Sequence, residues 1–137
     1  MRLTPTVDAN LVPSCVYTSP EIATVGITAD EAKAQGRAVI TGKYVMSGNG
    51  KSIIENEDRG FIKLVFDAET EKLIGAQLMC GRATDMIGEM VTAVSAGLTK
   101  AQLAMALHPH PTFCEGITEA VHAADGHSIH TMPPRRR

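Results

Sequence analysis

A chain of 137 residues can build one domain with a core of its own, but is too short for the several domains of a large cofactor-dependent enzyme, so at most a part of such a machine is expected. Thirteen basic and fifteen acidic residues leave a net charge of −2 and a pI near 6.2, which gives no electrostatic reason to expect nucleic acid or an anionic membrane as a partner. No apolar run approaches the roughly 20 residues of a membrane span, and Met1-Arg2-Leu3-Thr4-Pro5 lacks a signal-peptide core, so a soluble, cytoplasmic protein is expected.

Residues 1–11 carry Pro5 and no periodic pattern and read as a flexible arm. Pro13 to Thr18 and Ile22 to Gly26 are short β-rich runs separated by the turn signal Ser19-Pro20-Glu21. Thr28-Ala29-Asp30-Glu31 has the form of a capping box and Gly36 suits a helix end, which predicts a short helix over about 28–35. Val39 to Met46 is a strand. Ser47 to Lys51 reads as a flexible turn that opens a polar connection running through Asp58.

Gly60 to Phe66 alternates, with Ile62, Leu64 and Phe66 on one face and Phe61 and Val65 on the other, as an inner strand would. Asp67 to Glu71 closes a hairpin and Lys72 to Cys80 returns, with Gly75 and Ala76 leaving room for another backbone to approach. Beyond Gly81-Arg82 the period lengthens to 3.6: Ile87, Met90, Val91, Val94 and Leu98 predict a helix over about 84–96, closed by Gly97. Thr99 caps a short helix carrying Leu103 and Leu107, which Pro109 and Pro111 terminate. A last helix over about 112–124 buries Ile117, Ala120, Val121 and Ala124, and residues 127–137 read as a flexible tail. The order implies an α+β domain over 12–126, an antiparallel sheet of about five strands with helices mainly on one face.

The chemistry gathers at His108-Pro109-His110-Pro111-Thr112-Phe113-Cys114-Glu115. An imidazole titrates near about pH 6.5 and can exchange a proton with a thiol, while a carboxylate on its other nitrogen fixes the tautomer and stabilises the imidazolium. His110 and Glu115 supply such a pair. Thr112-x-x-Glu115 is also a capping-box pattern, and on spacing alone it could serve only to start the last helix. His108 and His110 form an H-x-H, but no third ligand of suitable spacing accompanies them and Pro109 restricts the geometry, so no metal is expected. His122, His127 and His130 read as surface residues. Cys15, Cys80 and Cys114 have no paired spacing, which argues against a disulfide framework. Cys114, beside a helix start and a histidine, has the setting that lowers a thiol pKa, although packing is the commoner role of such a residue.

This stretch resembles the His-Pro-Thr-x-x-Glu signature of the flavin-dependent pyridine nucleotide-disulfide oxidoreductases, and the extra His108 is most similar to their dihydrolipoamide dehydrogenase branch. The resemblance to that family's C-terminal dimerisation domain extends through Pro20 to Gly26, Gly60 to Leu64, Leu73 to Gln77 and Gly97-Leu98-Thr99. It implies that His110 exchanges the proton of a dithiol substrate, that Glu115 orients it, and that Pro111 and Thr112 shape the turn. It also implies a homodimer in which each histidine reaches the partner's redox site, and cis peptides at His110-Pro111 and Ser19-Pro20.

No G-x-G-x-x-G fingerprint, second nucleotide fold or redox cysteine pair is present, so no cofactor is expected in this chain; FAD and NAD belong to a full-length parent. A dihydrolipoamide-bearing protein or another dithiol would be the parent's substrate, and the isolated chain is expected to be inactive. A glutathione reductase-like relative and a stand-alone, non-enzymatic dimerisation module are the alternatives.

Overall fold

The computed structural model describes residues 8–131. The outer parts of the expected arm and tail, residues 1–7 and 132–137, lie outside the described residues. Five strands, β1 (Ser14–Val16), β2 (Glu21–Gly26), β3 (Val39–Val45), β4 (Phe61–Asp67) and β5 (Leu73–Cys80), form one sheet in the order β1-β2-β5-β4-β3. Every ladder in it is antiparallel. The helices are α1 (Ala29–Ala34), α2 (Gly50–Ile54), α3 (Ala83–Ala96), α4 (Lys100–Ala104) and α5 (Glu115–Ala123).

The expected α+β architecture is present, and the period-two pattern explains it. Ala23, Val25, Ile62, Leu64, Ala76 and Leu78 point to one face and are buried there. On that face α3 packs over β2 and β5, while α5 packs over β3 and β4. Val65, on the opposite face, is also fully buried, as the reading of β4 as an inner strand required. Gly42 of β3 lets α5 approach closely: a Cβ there would stand 1.8 Å from the Ala120 carbonyl oxygen. The seat of α5, and with it of Glu115, is therefore set by backbone contact as well as by side-chain packing.

Helix ends follow local chemistry where the sequence made it visible. The Thr28 hydroxyl accepts from the Glu31 N–H while the Glu31 carboxylate accepts from the Thr28 N–H, and Thr99 and Gln102 do the same at α4. The start of α3 is capped from a distance: Arg82 sits in the left-handed region without a side-chain cap, and Glu21 of β2 accepts from the N–H and hydroxyl of Thr84 at 2.9 and 2.7 Å. A carboxylate there also complements the positive end of the helix.

Three expectations need correction. The connection after β3 is ordered, with a 3-10 turn over Met46–Gly48 leading into α2, because Asn49 caps that helix by accepting from the N–H of Ser52. Leu107 is 96% exposed, since α4 stops at Ala104 and the chain leaves the surface it would have covered. The last helix begins at Glu115, three residues after the expected start, because residues 112–114 form the turn that enters it. Both Ser19-Pro20 and His110-Pro111 are cis, as the resemblance implied.

Candidate functional site

The segment after α4 has no regular structure until Glu115 opens α5, and side chains hold it in place. Nδ1 of His110 lies 2.8 Å from Oε1 of Glu115. An ionised carboxylate only accepts, so that nitrogen carries the proton and the other, Nε2, presents a lone pair. The imidazole is 78% exposed, against 30% for the Glu115 side chain, so this free nitrogen opens to the surroundings.

The second Glu115 oxygen accepts from the N–H of Thr112 at 2.9 Å. The capping-box pattern is thus half realised: the Thr112 hydroxyl donates at 2.7 Å to the carbonyl of Pro109, tightening the turn, and is turned away from the helix start. Burial of Glu115 works to raise its pKa, but the Thr112 N–H, the His110 bond and the charges of His110 and His108 together hold it below the ordinary carboxylate value. The carboxylate is therefore kept ionised, the state in which it orients an imidazole.

Beneath the turn, the amide of Asn49 donates at 3.0 Å to the Thr112 carbonyl, while its oxygen accepts from the N–H and hydroxyl of Ser52 at 2.9 and 3.0 Å. Asn49 is 4% exposed. Phe113 is buried beside Gly81, where a Cβ would come within 2.8 Å of its ring. Gly116 lets the first turn of α5 settle against Met46 and Ile62, each 2.9 Å from where a Cβ would be. Tyr44, buried under this corner, is pushed up to about 12 by burial and then by the charges of Glu119 and Glu115, which leaves it a neutral hydroxyl.

His108 and His110 do not converge. His108 turns inward, with Nδ1 2.8 Å from the hydroxyl of Thr118 and Nε2 3.1 Å from both oxygens of Glu89 on α3. Among the described residues no three His, Cys, Asp or Glu side chains gather as a metal site. His130 lies on the surface and its Nδ1 meets Glu119 of α5 at 3.0 Å. Cys114, the N-cap residue of α5, is partly buried against the core, and burial, then the charge of Glu89, raises its pKa against a smaller lowering by a backbone hydrogen bond, so of its two sequence readings packing is the one the structure favours. Asn49, Glu89 and Thr118 were not singled out from the sequence; of these, only the turn-former Asn49 at a helix start gave a local signal that could have found it.

A family model described as pyridine nucleotide-disulphide oxidoreductase, dimerisation domain, matches residues 12–121. The chain is 44% identical over 123 residues to a dihydrolipoyl dehydrogenase of Bacillus subtilis, covering 90% of this chain and 26% of that protein. It is 38% identical to the dihydrolipoyl dehydrogenase of Halobacterium salinarum, covering 91% of this chain and again 26% of the relative. The chain thus spans about a quarter of the length of these relatives. Among solved structures, LpdA of Mycobacterium tuberculosis superposes with a TM-score of 0.81 at 27% identity, over 86% of this chain and 26% of that one. The HOCl-induced flavoprotein disulfide reductase RclA of Escherichia coli gives 0.77 at 25% identity, over 80% and 25% respectively.

Proposed function

Because the chain belongs to the pyridine nucleotide-disulphide oxidoreductases as their dimerisation domain, of the dihydrolipoyl dehydrogenase-like kind, we propose that His110 and Glu115 are the acid–base pair it supplies to thiol–disulfide exchange. The observation that carries this reading is the 2.8 Å bond between a mostly exposed imidazole and a carboxylate held ionised. In the proposed step, Nε2 of His110 takes the proton of a substrate thiol, leaving the thiolate that attacks a disulfide sulfur. Glu115 stabilises the imidazolium so formed, and the reverse direction returns the proton to sulfur. The substrate is a dithiol such as a dihydrolipoamide-bearing protein, in keeping with what the relatives are named for.

The residues here do not fit a dinucleotide. Every ladder of the sheet is antiparallel, so among the described residues there is no strand–helix–parallel strand unit to place a helix N-terminus at a pyrophosphate. We therefore assign FAD and NAD to other domains of a longer protein, and take this chain alone to be inactive. An exposed His110 suits presentation to a redox site on a second subunit, within a homodimer. The cysteines of the described residues are free, which suits a reducing compartment such as the cytoplasm; no described helix is long and apolar enough to cross a membrane.

The test is His110→Gln in the full-length flavoenzyme. Thiol-dependent turnover should fall by about 10²- to 10⁴-fold, the range ascribed to a positioned acid–base group, with the dimer intact by sedimentation. Unchanged turnover would remove the assignment and leave the domain a purely associative role.

A further inference from the structure

Two histidines separated by one proline are received by one face of one helix. Glu115 and Thr118 are three residues apart on α5 and are neighbours on its surface. His110 meets the first at 2.8 Å and His108 meets the second at 2.8 Å. The segment that carries both histidines belongs to no strand or helix, and its Met105 and Leu107 are 74% and 96% exposed. Ahead of the buried Phe113 and of Thr112, which Asn49 holds, ladder bonds and apolar burial therefore do little to hold it. His108 is the exception, with 11% of its side chain exposed and both ring nitrogens engaged.

We propose that His108 is the positioning residue of the His110–Glu115 pair: gripped between Glu89 of α3 and Thr118 of α5, it fixes the register in which the His-Pro-His segment lies along α5 and so delivers His110 to Glu115. The significance of this rests on the proposed function, whereas the clamp is a matter of geometry alone. Nε2–H of His108 donates to Glu89, whose carboxylate accepts along both oxygens. A hydroxyl is both donor and acceptor, so Thr118 donates to Nδ1 of the neutral ring and accepts from Nδ1–H of the imidazolium. The grip is kept in either charge state. Among the described residues His110 is held to side chains through Nδ1 alone, and it depends on that register to stay over Glu115.

The experiment is a long-range ¹H–¹⁵N correlation spectrum of the imidazoles in the 137-residue chain, which reports which nitrogen of each ring carries the proton. In the unaltered chain, His110 should show the single tautomer with hydrogen on Nδ1. His108→Ala should lose that signature and give averaged tautomers, with the amide shifts of α5 unchanged beyond the neighbourhood of Thr118. His108→Gln, whose amide can still donate to Glu89, should restore it. Thr118→Val removes one hydroxyl with little change of volume, and decides the matter should His108→Ala fail to fold. A fixed Nδ1–H tautomer of His110 in both His108→Ala and Thr118→Val would overturn the proposal. The readout involves no catalysis, so the catalytic reading stands or falls separately on turnover of the His110→Gln flavoenzyme.

Discussion

Asn49 donates a 3.0 Å hydrogen bond to the carbonyl of Thr112 across 63 residues of sequence, joining the cap of α2 to the turn that presents His110. One buried amide thus performs two tasks, and two substitutions separate them. Asn49→Asp keeps the acceptor for Ser52 but sets a carboxylate oxygen against the Thr112 carbonyl; Asn49→Ala loses both. Denaturant unfolding should show Asn49→Ala destabilised by about 1–3 kcal/mol, as expected when a buried partner is left unmatched. Both variants should lose hydrogen-exchange protection of the Thr112 N–H, whereas only Asn49→Ala should lose that of the Ser52 N–H. Equal Thr112 protection in Asn49→Asp and the unaltered chain would refute the division.

Gly42 predicts a steric limit. An added Cβ would lie 1.8 Å from the Ala120 carbonyl oxygen and 2.9 Å from the Ala124 nitrogen, so Gly42→Ala must push α5 off the sheet. Overpacking of this kind costs about 1–3 kcal/mol and occasionally more. A structure of the variant should show the C-terminal half of α5, around Ala120 to Ala124, displaced from β3. Ser, with its extra oxygen, should do no better.

The Glu89 carboxylate raises the pKa of His108 above its ordinary 6.5, against the opposing effect of burial. For a histidine whose folded pKa is raised, the associated stability is complete below the unfolded value and is lost as pH rises through the folded one. The gap in urea midpoint between the unaltered chain and His108→Gln should therefore be wider at about pH 5.5 than at about pH 9. A gap that widens toward alkaline pH would contradict the ion pair with Glu89.

Thiol labelling should separate the cysteines. Burial, followed by the influence of Glu21, Cys114 and Glu57, pushes Cys80 up to about 12. Since the thiolate is the reactive form, iodoacetamide near neutral pH should leave Cys80 unmodified in the folded chain and modify it once urea unfolds the domain. Cys114, also raised, should react slowly. Rapid native-state labelling of either, read by mass spectrometry, would show that the corner around Gly81 and Phe113 is open.

The long-range cap on α3 gives a last measurable effect. Glu21 is the side chain that accepts from the N–H and hydroxyl of Thr84. Glu21→Ala should cost about 0.5–2 kcal/mol, the range of an N-cap deletion, with most of the lost exchange protection in the first turn of α3. Glu21→Gln, which can still accept, should cost less.

How legible these features were depended on the distance over which they act. The alternation of Phe61 to Phe66 and the 3.6 spacing of Ile87, Met90 and Val94 announced β4 and α3 because each pattern is local and repeats. Thr28 with Glu31, three apart, announced α1 in the same way. Thr112 with Glu115 has the same spacing, yet the Thr112 hydroxyl is drawn to the Pro109 carbonyl, and no pattern of four residues reveals that choice. His110 and Glu115 were readable as a pair five residues apart. The partners of His108 were not, because Glu89 and Thr118 stand 19 and 10 residues away and meet it only once α3 and α5 share one face of the sheet. The ordered stretch after Met46 was hidden by its Gly, Asn and Ser content, which also suits a mobile loop.

The strand order has a consequence for the history of each molecule. The centre of the sheet, β5, is synthesised after both of its neighbours, and pairs Glu21 with Cys80 and Gly26 with Gly75 on one side while it pairs with β4 on the other. Until Cys80 has left the ribosome, β1 can pair with β2 and β3 with β4, but β2 and β4 each carry an open edge with no partner. On a growing polypeptide the facing edges of both pairs are thus the parts to be shielded, and translation through residues 73–80 is the moment at which the two halves of the domain become one.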